Sequence, residues 1–192
     1  MEDPAFENGY SSMDDRMIVS RIISGQKELF RVLLERHERA VNGMGMSFFR
    51  NAEDAADFTQ EVFLKAFRNL PSFEGRARFS TWLYKIAYNT AINSVNRKRE
   101  YQSLVEEDSI VEADNPERSY LRSVIREAVY AAVQELPDRF RICVDLFFFF
   151  DQSYQEIEAI TGFPVNTIKS HVHRAKKLLR EKLEDYSDGG ME

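Results

Sequence analysis

Asn166, Thr167, Lys169, Ser170, His171, Arg174 and Lys177 bring amides, hydroxyls, an imidazole and cations into one short stretch. Amides, hydroxyls and lysines bond base edges or phosphates, and arginines and lysines neutralise the phosphate backbone. They lie in "ITGFPVNTIKSHVHRAKKLLREKL", where a turn around Gly162 and Pro164 precedes a basic run with apolar residues at helical spacing. A short helix, a glycine turn and a second helix bearing cations make a helix-turn-helix pattern, whose second helix enters the DNA major groove. On this segment alone, a solvated basic face of an ordinary helix is the alternative.

Other chemistries find no support. His37, His171 and His173 form no ligand set, because 171 and 173 point to different sides of a helix and no cysteine pair accompanies them. No Gly-rich phosphate loop is present, and no serine, histidine and acid stand at a spacing that supports catalysis. The expectation is a protein without enzymatic activity, metal or cofactor. The single Cys143, set among Ile142, Val144 and Leu146, reads as a buried small hydrophobe and fits a reducing cytoplasm.

The net charge of -6 conceals a block pattern. From Arg76 to Arg99 there are cations and no acid. "EYQSLVEEDSIVEADNPE" is strongly acidic, and the segment from Thr161 to Lys182 is basic again. Such blocks mark partners or solvated faces. No apolar run approaches the roughly 18–20 residues of a membrane span, so stable membrane insertion is not expected. The acidic start lacks the apolar stretch of a signal peptide.

The elements that must position these residues are helices. With 43% hydrophobic residues, 8 glycines, 5 prolines and no sustained alternation, the composition points to an all-α protein with a packed core. Helices are expected over 14–24, closed by Gly25, and from Lys27 into the forties, weakened late by Asn42, Gly43 and Gly45. A third runs from near Glu53 to Pro71, with Phe63, Ala66, Phe67 and Leu70 as its apolar stripe. After the loop "SFEGRAR" a fourth spans about 80–99. The second half carries helices over about 117–135, 138–150, 153–160 and 164–183. Ser153 and Glu156 form a capping box, and Pro164 sits in a first turn. The division is a tail 1–13, a domain 14–99, a linker 100–116, a domain 117–185 and a tail 186–192.

Two long blocks carry a family resemblance. "AEDAADFTQEVFLKAFRNLPSFEGRARFSTWLYKIAYNTAINSVNRKR" resembles the N-terminal domain of bacterial sigma factors, and "LPDRFRICVDLFFFFDQSYQEIEAITGFPVNTIKSHVHRAKKLLREKL" resembles their C-terminal promoter-binding domain. Their order, with no third domain between, resembles the extracytoplasmic-function (ECF) group over about residues 14–184. The implied fold is a four-helix sigma-2 domain and a helix-turn-helix sigma-4 domain on a flexible acidic linker. The implied function is to bind core RNA polymerase and start transcription at promoters.

What the resemblance implies can be given residue by residue. Asp54, Asp57, Gln60, Glu61 and Lys65 would dock on the β′ clamp helices. Phe73, Arg76, Arg78, Phe79, Trp82, Lys85, Tyr88, Asn89, Asn93, Arg97 and Lys98 would recognise and melt the −10 element; relatives more often carry aspartate at position 93. Unstacked bases need rings to stack on, and Phe79 and Trp82 are equally readable as core. Asn166, Thr167, Lys169, Ser170, His171, Arg174 and Lys177 would read the −35 element. Relatives commonly carry glycine and arginine at 166 and 171, and both positions are expected to face DNA. "DLFFFF" is expected to be mostly core, with one or two rings partly exposed, or a seat for the polymerase β flap. The acidic linker would thread near the polymerase active site, or act as a plain tether. An anti-sigma protein is the expected regulator. A polymerase-independent helix-turn-helix regulator and a helical adaptor are the rival readings.

Overall fold

In a computed structural model the chain divides into two compact units, Met1–Ser109 and Ile110–Glu192. The structure describes Tyr10, residues 12–102 and residues 128–188, and only the backbone of 96–102 and 184–188. All regular elements among the described residues are helical. Most of the segment read as a linker, the start of the helix expected from 117 and the terminal tails lie outside them.

The first unit is built from α1 (Asp15–Ile23), α2 (Phe30–Phe49), α3 (Ala52–Asn69) and α4 (Phe79–Gln102). Asp14 caps α1 by accepting from the Arg16 N–H, and Gly25 follows with φ +115, a conformation glycine adopts without a Cβ penalty. Asn51 caps α3 by accepting from the Asp54 N–H at 2.9 Å. Ile18, Leu33, Val41, Met44, Val62, Ala66, Leu83 and Ala87 are buried in this unit. The chain passes from α3 into a 3-10 turn, Leu70–Ser72, because Pro71 cannot continue the ladder.

Two expectations need revision here. The late glycines do not interrupt α2, which runs unbroken to Phe49. Gly45 is buried where α2 meets α3; a Cβ there would stand 2.8 Å from Phe58 Cδ1 and 3.1 Å from Ala55 Cα. The missing side chain is what allows the close approach. The fourth helix continues to Gln102, past the expected start of the linker.

The second unit contains α5 (128–134), α6 (Asp138–Val144), α7 (Tyr154–Thr161) and α8 (Val165–Asp188). One core cluster joins Val133, Leu136, Val144 and Ala175, with Val129, Phe140, Leu178 and Leu179 packed against it. Buried Arg141 ties α5 to α6, donating to the Gln134 carbonyl at 3.1 Å and to Asp138 Oδ1 at 2.8 Å. The capping box forms as read: Ser153 Oγ accepts from the Glu156 N–H, and the Glu156 carboxylate accepts from the Ser153 N–H. Gly162 closes α7 at φ +78. Pro164 stands just outside α8 rather than in its first turn, its carbonyl accepting from the Ile168 N–H.

The segment "DLFFFF" is not a plain helix, and its core part is Asp145 and Leu146 rather than the phenylalanines. After Val144 the helix widens into a π-turn, Asp145–Phe149, closed by the Phe150 N–H on the Asp145 carbonyl at 3.0 Å. Leu146 is buried, Phe147 and Phe150 are half-buried, and Phe148 and Phe149 are exposed, Phe149 by 59%. The wider turn spoils the register that would have turned these rings inward.

Candidate nucleic-acid and polymerase interfaces

On α8 the 3.6-residue period separates two faces. Ile168, His171, Val172 and Ala175 are buried, with Leu178 and Leu179 half-buried. Asn166, Lys169, Ser170, His173, Arg174 and Lys177 are exposed along one side, with Thr167 half-buried at its edge. This is a stripe of amide, hydroxyl, imidazole and cations on a helix that follows a tight turn. It has the groups needed to lie in a major groove.

His171 does not belong to the stripe. It is 8% exposed and sits between Phe140 and Phe163, with Nδ1 3.7 Å from Cys143 Sγ. Burial, with Arg139 and Arg174 nearby, holds its pKa below the usual histidine value. The expectation that it faces DNA is corrected. His173, passed over in the sequence, takes the outward place. The signal was available: the apolar side of Ile168, Val172, Ala175, Leu178 and Leu179 puts 171 inward by helical period, and 173 falls opposite it. Cys143 is fully buried as read, and burial pushes its thiol pKa up to about 12.

In the first unit the loop after α3 and the start of α4 gather aromatic rings. Phe73, Phe79 and Trp82 stand 5.5–5.7 Å apart, centroid to centroid. Phe73 and Trp82 are half-buried, whereas Phe79 is 2% exposed and also packs on the His37 ring at 5.3 Å. Phe79 is therefore a core residue that supports the other two rings, not a surface on which a base can stack. Tyr88 is half-buried against Phe48. Arg76, Arg78, Lys85, Asn89 and Asn93 are exposed, with Arg76 paired to Glu74. Arg97 and Lys98 lie on the backbone of α4, their side chains outside the described part.

On α3, Asp57 and Gln60 are exposed, while Asp54, Glu61 and Lys65 are half-buried and engaged. Asp54 accepts from the Asn51 amide at 2.8 Å, and Lys65 pairs with Glu61 at 2.6 Å and donates to Thr90 Oγ1 at 3.2 Å. Sequence reasoning missed the apolar part of this surface. Leu64 is 56% exposed and Phe67 39%, although Phe67 was counted in the buried stripe. With Phe30 and Leu34 of α2 and Phe63 they line a groove of about 390 Å³, bordered by Gln60 and Glu38. Leu64 was the clue, since it widens the apolar arc of α3 beyond one buried stripe.

Fold and surfaces together give a two-unit helical protein with a polar, cationic stripe on α8 and an apolar groove between α2 and α3 of the first unit. Comparison with known proteins narrows this. Residues 33–101 match the family profile of Sigma-70 region 2, and residues 126–179 that of Sigma-70, region 4. The chain is 32% identical over 181 residues to the RNA polymerase sigma-H factor of Pseudomonas aeruginosa, covering 88% of this chain and 94% of that one. It is 31% identical over 183 residues to the ECF RNA polymerase sigma-E factor of Escherichia coli K12, covering 90% and 95%. Its structure is similar to that of the sigma factor RpoE of Bartonella quintana, solved in complex with the anti-sigma factor NepR. That likeness has TM-score 0.69 and 26% identity over 81% of this chain and 96% of the other. The fold is also that of CnrH, solved with the cytosolic domain of CnrY (TM-score 0.67, 23% identity, 89% and 97% covered).

The chain belongs to the ECF group of RNA polymerase sigma factors. Members of this family are transcription initiation factors that work with core RNA polymerase on promoter DNA, not enzymes in their own right. Among the described residues no helix is long and apolar enough to cross a membrane.

Proposed function

We propose that the exposed stripe of α8 reads the −35 element, and this stripe is the observation that carries the reading. Asn166, Lys169, Ser170 and His173 meet base edges; Arg174 and Lys177 hold phosphates, with Thr167 at the margin. The first unit, taken as residues 14–99, recognises and melts the −10 element. Phe73 and Trp82 provide stacking surface, backed by Phe79. Lys85, Asn89 and Asn93 line the outer side of α4, with Arg97 and Lys98 beyond. A factor that opens DNA without ATP recovers the cost of unpairing by binding what it exposes, and stacking supplies about 1–3 kcal/mol per base.

Core polymerase docks on α3. Asp57 and Gln60 give direction and the groove of Leu64 and Phe67 gives apolar area, while Asp54, Glu61 and Lys65 hold the helix surface in shape. Phe148 and Phe149 are the seat for the β flap. The factor works in the cytoplasm, and an anti-sigma protein holds it inactive by covering these faces; the RpoE relative was solved with such a partner.

Transcription by bacterial core polymerase, with and without this protein, on a library of randomised promoters tests the reading. The expected result is a set of transcripts sharing two spaced elements. Arg174→Ala and His173→Ala should lower yield from the selected promoter, His173→Ala with relaxed preference at one −35 base. Absence of transcripts, while the protein alone shifts duplex DNA, would favour a polymerase-independent regulator.

A further inference from the structure

Helix α1 has no part in the reading above, yet its second residue reaches the promoter-melting loop. Asp15 and Arg36 hold α1 in place. Asp15 Oδ1 pairs with an Arg36 Nη at 2.5 Å and Oδ2 lies 2.7 Å from His37 Nε2. Arg36 also donates to the Tyr10 and Met13 carbonyls at 2.6 and 2.7 Å, fixing the chain ahead of the helix. Ile18, Val19 and Ile22 bury the other side of α1. The result is a cavity of about 380 Å³ at the base of the loop, lined by Asp15, Arg16, Arg36, Arg78 and Phe79 among others.

Arg16 stands at this cavity with little to do in the free protein. Its guanidinium makes one long hydrogen bond, 3.4 Å, to the Ala77 carbonyl, and among the described residues no ion pair. Arg36 is matched by Asp15, and Arg76 by Glu74. An exposed guanidinium with spare donors, at a cavity shared with Arg78 and with Phe79, which packs on the Phe73 and Trp82 rings, suits an anion that passes along the loop. The chemistry that fits is a phosphodiester, since arginine's fork matches phosphate oxygens.

We propose that Arg16 extends the single-strand track of the −10 site, contacting a backbone phosphate of the strand captured by the loop, and that Asp15 is the positioning residue that puts it there. This rests on the assignment of the loop and α4 to promoter melting. Because the contact is to phosphate, Arg16 adds affinity and not sequence preference.

The test uses holoenzyme assembled with core polymerase and a fluorescent single strand carrying the −10 segment of the library-selected promoter, titrated over a range of salt. Each phosphate neutralised on a single strand contributes about 0.7 to the slope of log affinity against log salt. Arg16→Ala should lower that slope by about 0.7, and Arg16→Lys should retain it. A merely structural residue would not move the slope by one charge. Arg16 is exposed, so its substitution leaves the fold intact, which a melting curve checks. Asp15→Asn removes an acid and by charge alone should tighten binding; displacement of Arg16 predicts weaker binding, by about tenfold for a lost charged hydrogen bond. Arg78→Ala is the control for the underlying assignment. If Arg78→Ala lowers the slope and Arg16→Ala does not, the inference is overturned while the melting loop stands. If neither lowers it, the assignment of the loop falls and the inference with it.

Discussion

His171 shows how one buried residue gives a surface domain a pH dependence. Its folded pKa lies below the ordinary 6.5, chiefly because burial penalises the charged ring. The unfolded chain therefore binds the proton first as pH falls. Stability is full above about 6.5 and declines as pH drops from there towards the folded value, then levels off. Following the His171 ring proton by NMR should give a midpoint below 6.5. Comparing urea midpoints of the wild type and His171→Asn at pH 8 and pH 5.5 should show a smaller acid loss in the variant. An equal loss in both would remove His171 from the account. Asp15 belongs to a separate window. Burial alone would raise its pKa, but the bonds from His37 and Arg36 outweigh that and leave it below 3.8, so its contribution is lost only under stronger acid. At this scale the sequence was legible where period decided burial, as for Cys143 and Ile168. It misled where a polar residue took an inward position. Nothing in a lone histidine's identity says that two phenylalanines and a cysteine will enclose it.

Helix-level organisation was easier to read, with two instructive exceptions. Capping chemistry is local, so Ser153 with Glu156 and Gly162 after α7 could be placed without tertiary information. The role of Gly45 could not, because it is set by Phe58 and Ala55 on another helix. Intrinsic propensity favours alanine over glycine by about 1 kcal/mol, but overpacking costs typically about 1–3 kcal/mol. Gly45→Ala should therefore lower the urea midpoint, and a raised midpoint would show that Phe58 can swing away. The π-turn at Asp145–Phe149 was likewise invisible, since four consecutive phenylalanines carry no helical phase of their own. Wider turns of this kind gather at functional sites. Replacing Phe148 and Phe149 together by serine should change stability by no more than about 0.5 kcal/mol, as for ordinary surface sites, yet reduce transcription. A large stability loss with unchanged transcription would make the pair structural.

The whole molecule is acidic, yet its sequence carries cations with almost no acids from Arg76 to Arg99 and from Thr161 to Lys182, the stretches that hold the loop, α4 and α8. Surplus negative charge elsewhere repels random DNA, so the weak phosphate-driven binding of any basic helix is held down. This arrangement suits a factor whose two reading surfaces are useful only when polymerase presents both to one promoter. On the proposed function, sequence reading belongs to the holoenzyme and not to the free chain. The most direct measurement is the affinity for library-selected promoter DNA and for random duplex, for the free protein and for the protein bound to core polymerase, at one fixed salt concentration. The expected result is little preference for the promoter by the free chain and a preference of at least about a thousandfold by the holoenzyme, the lower end for specific DNA binders. A free chain that prefers the selected promoter as strongly as the holoenzyme does would contradict it.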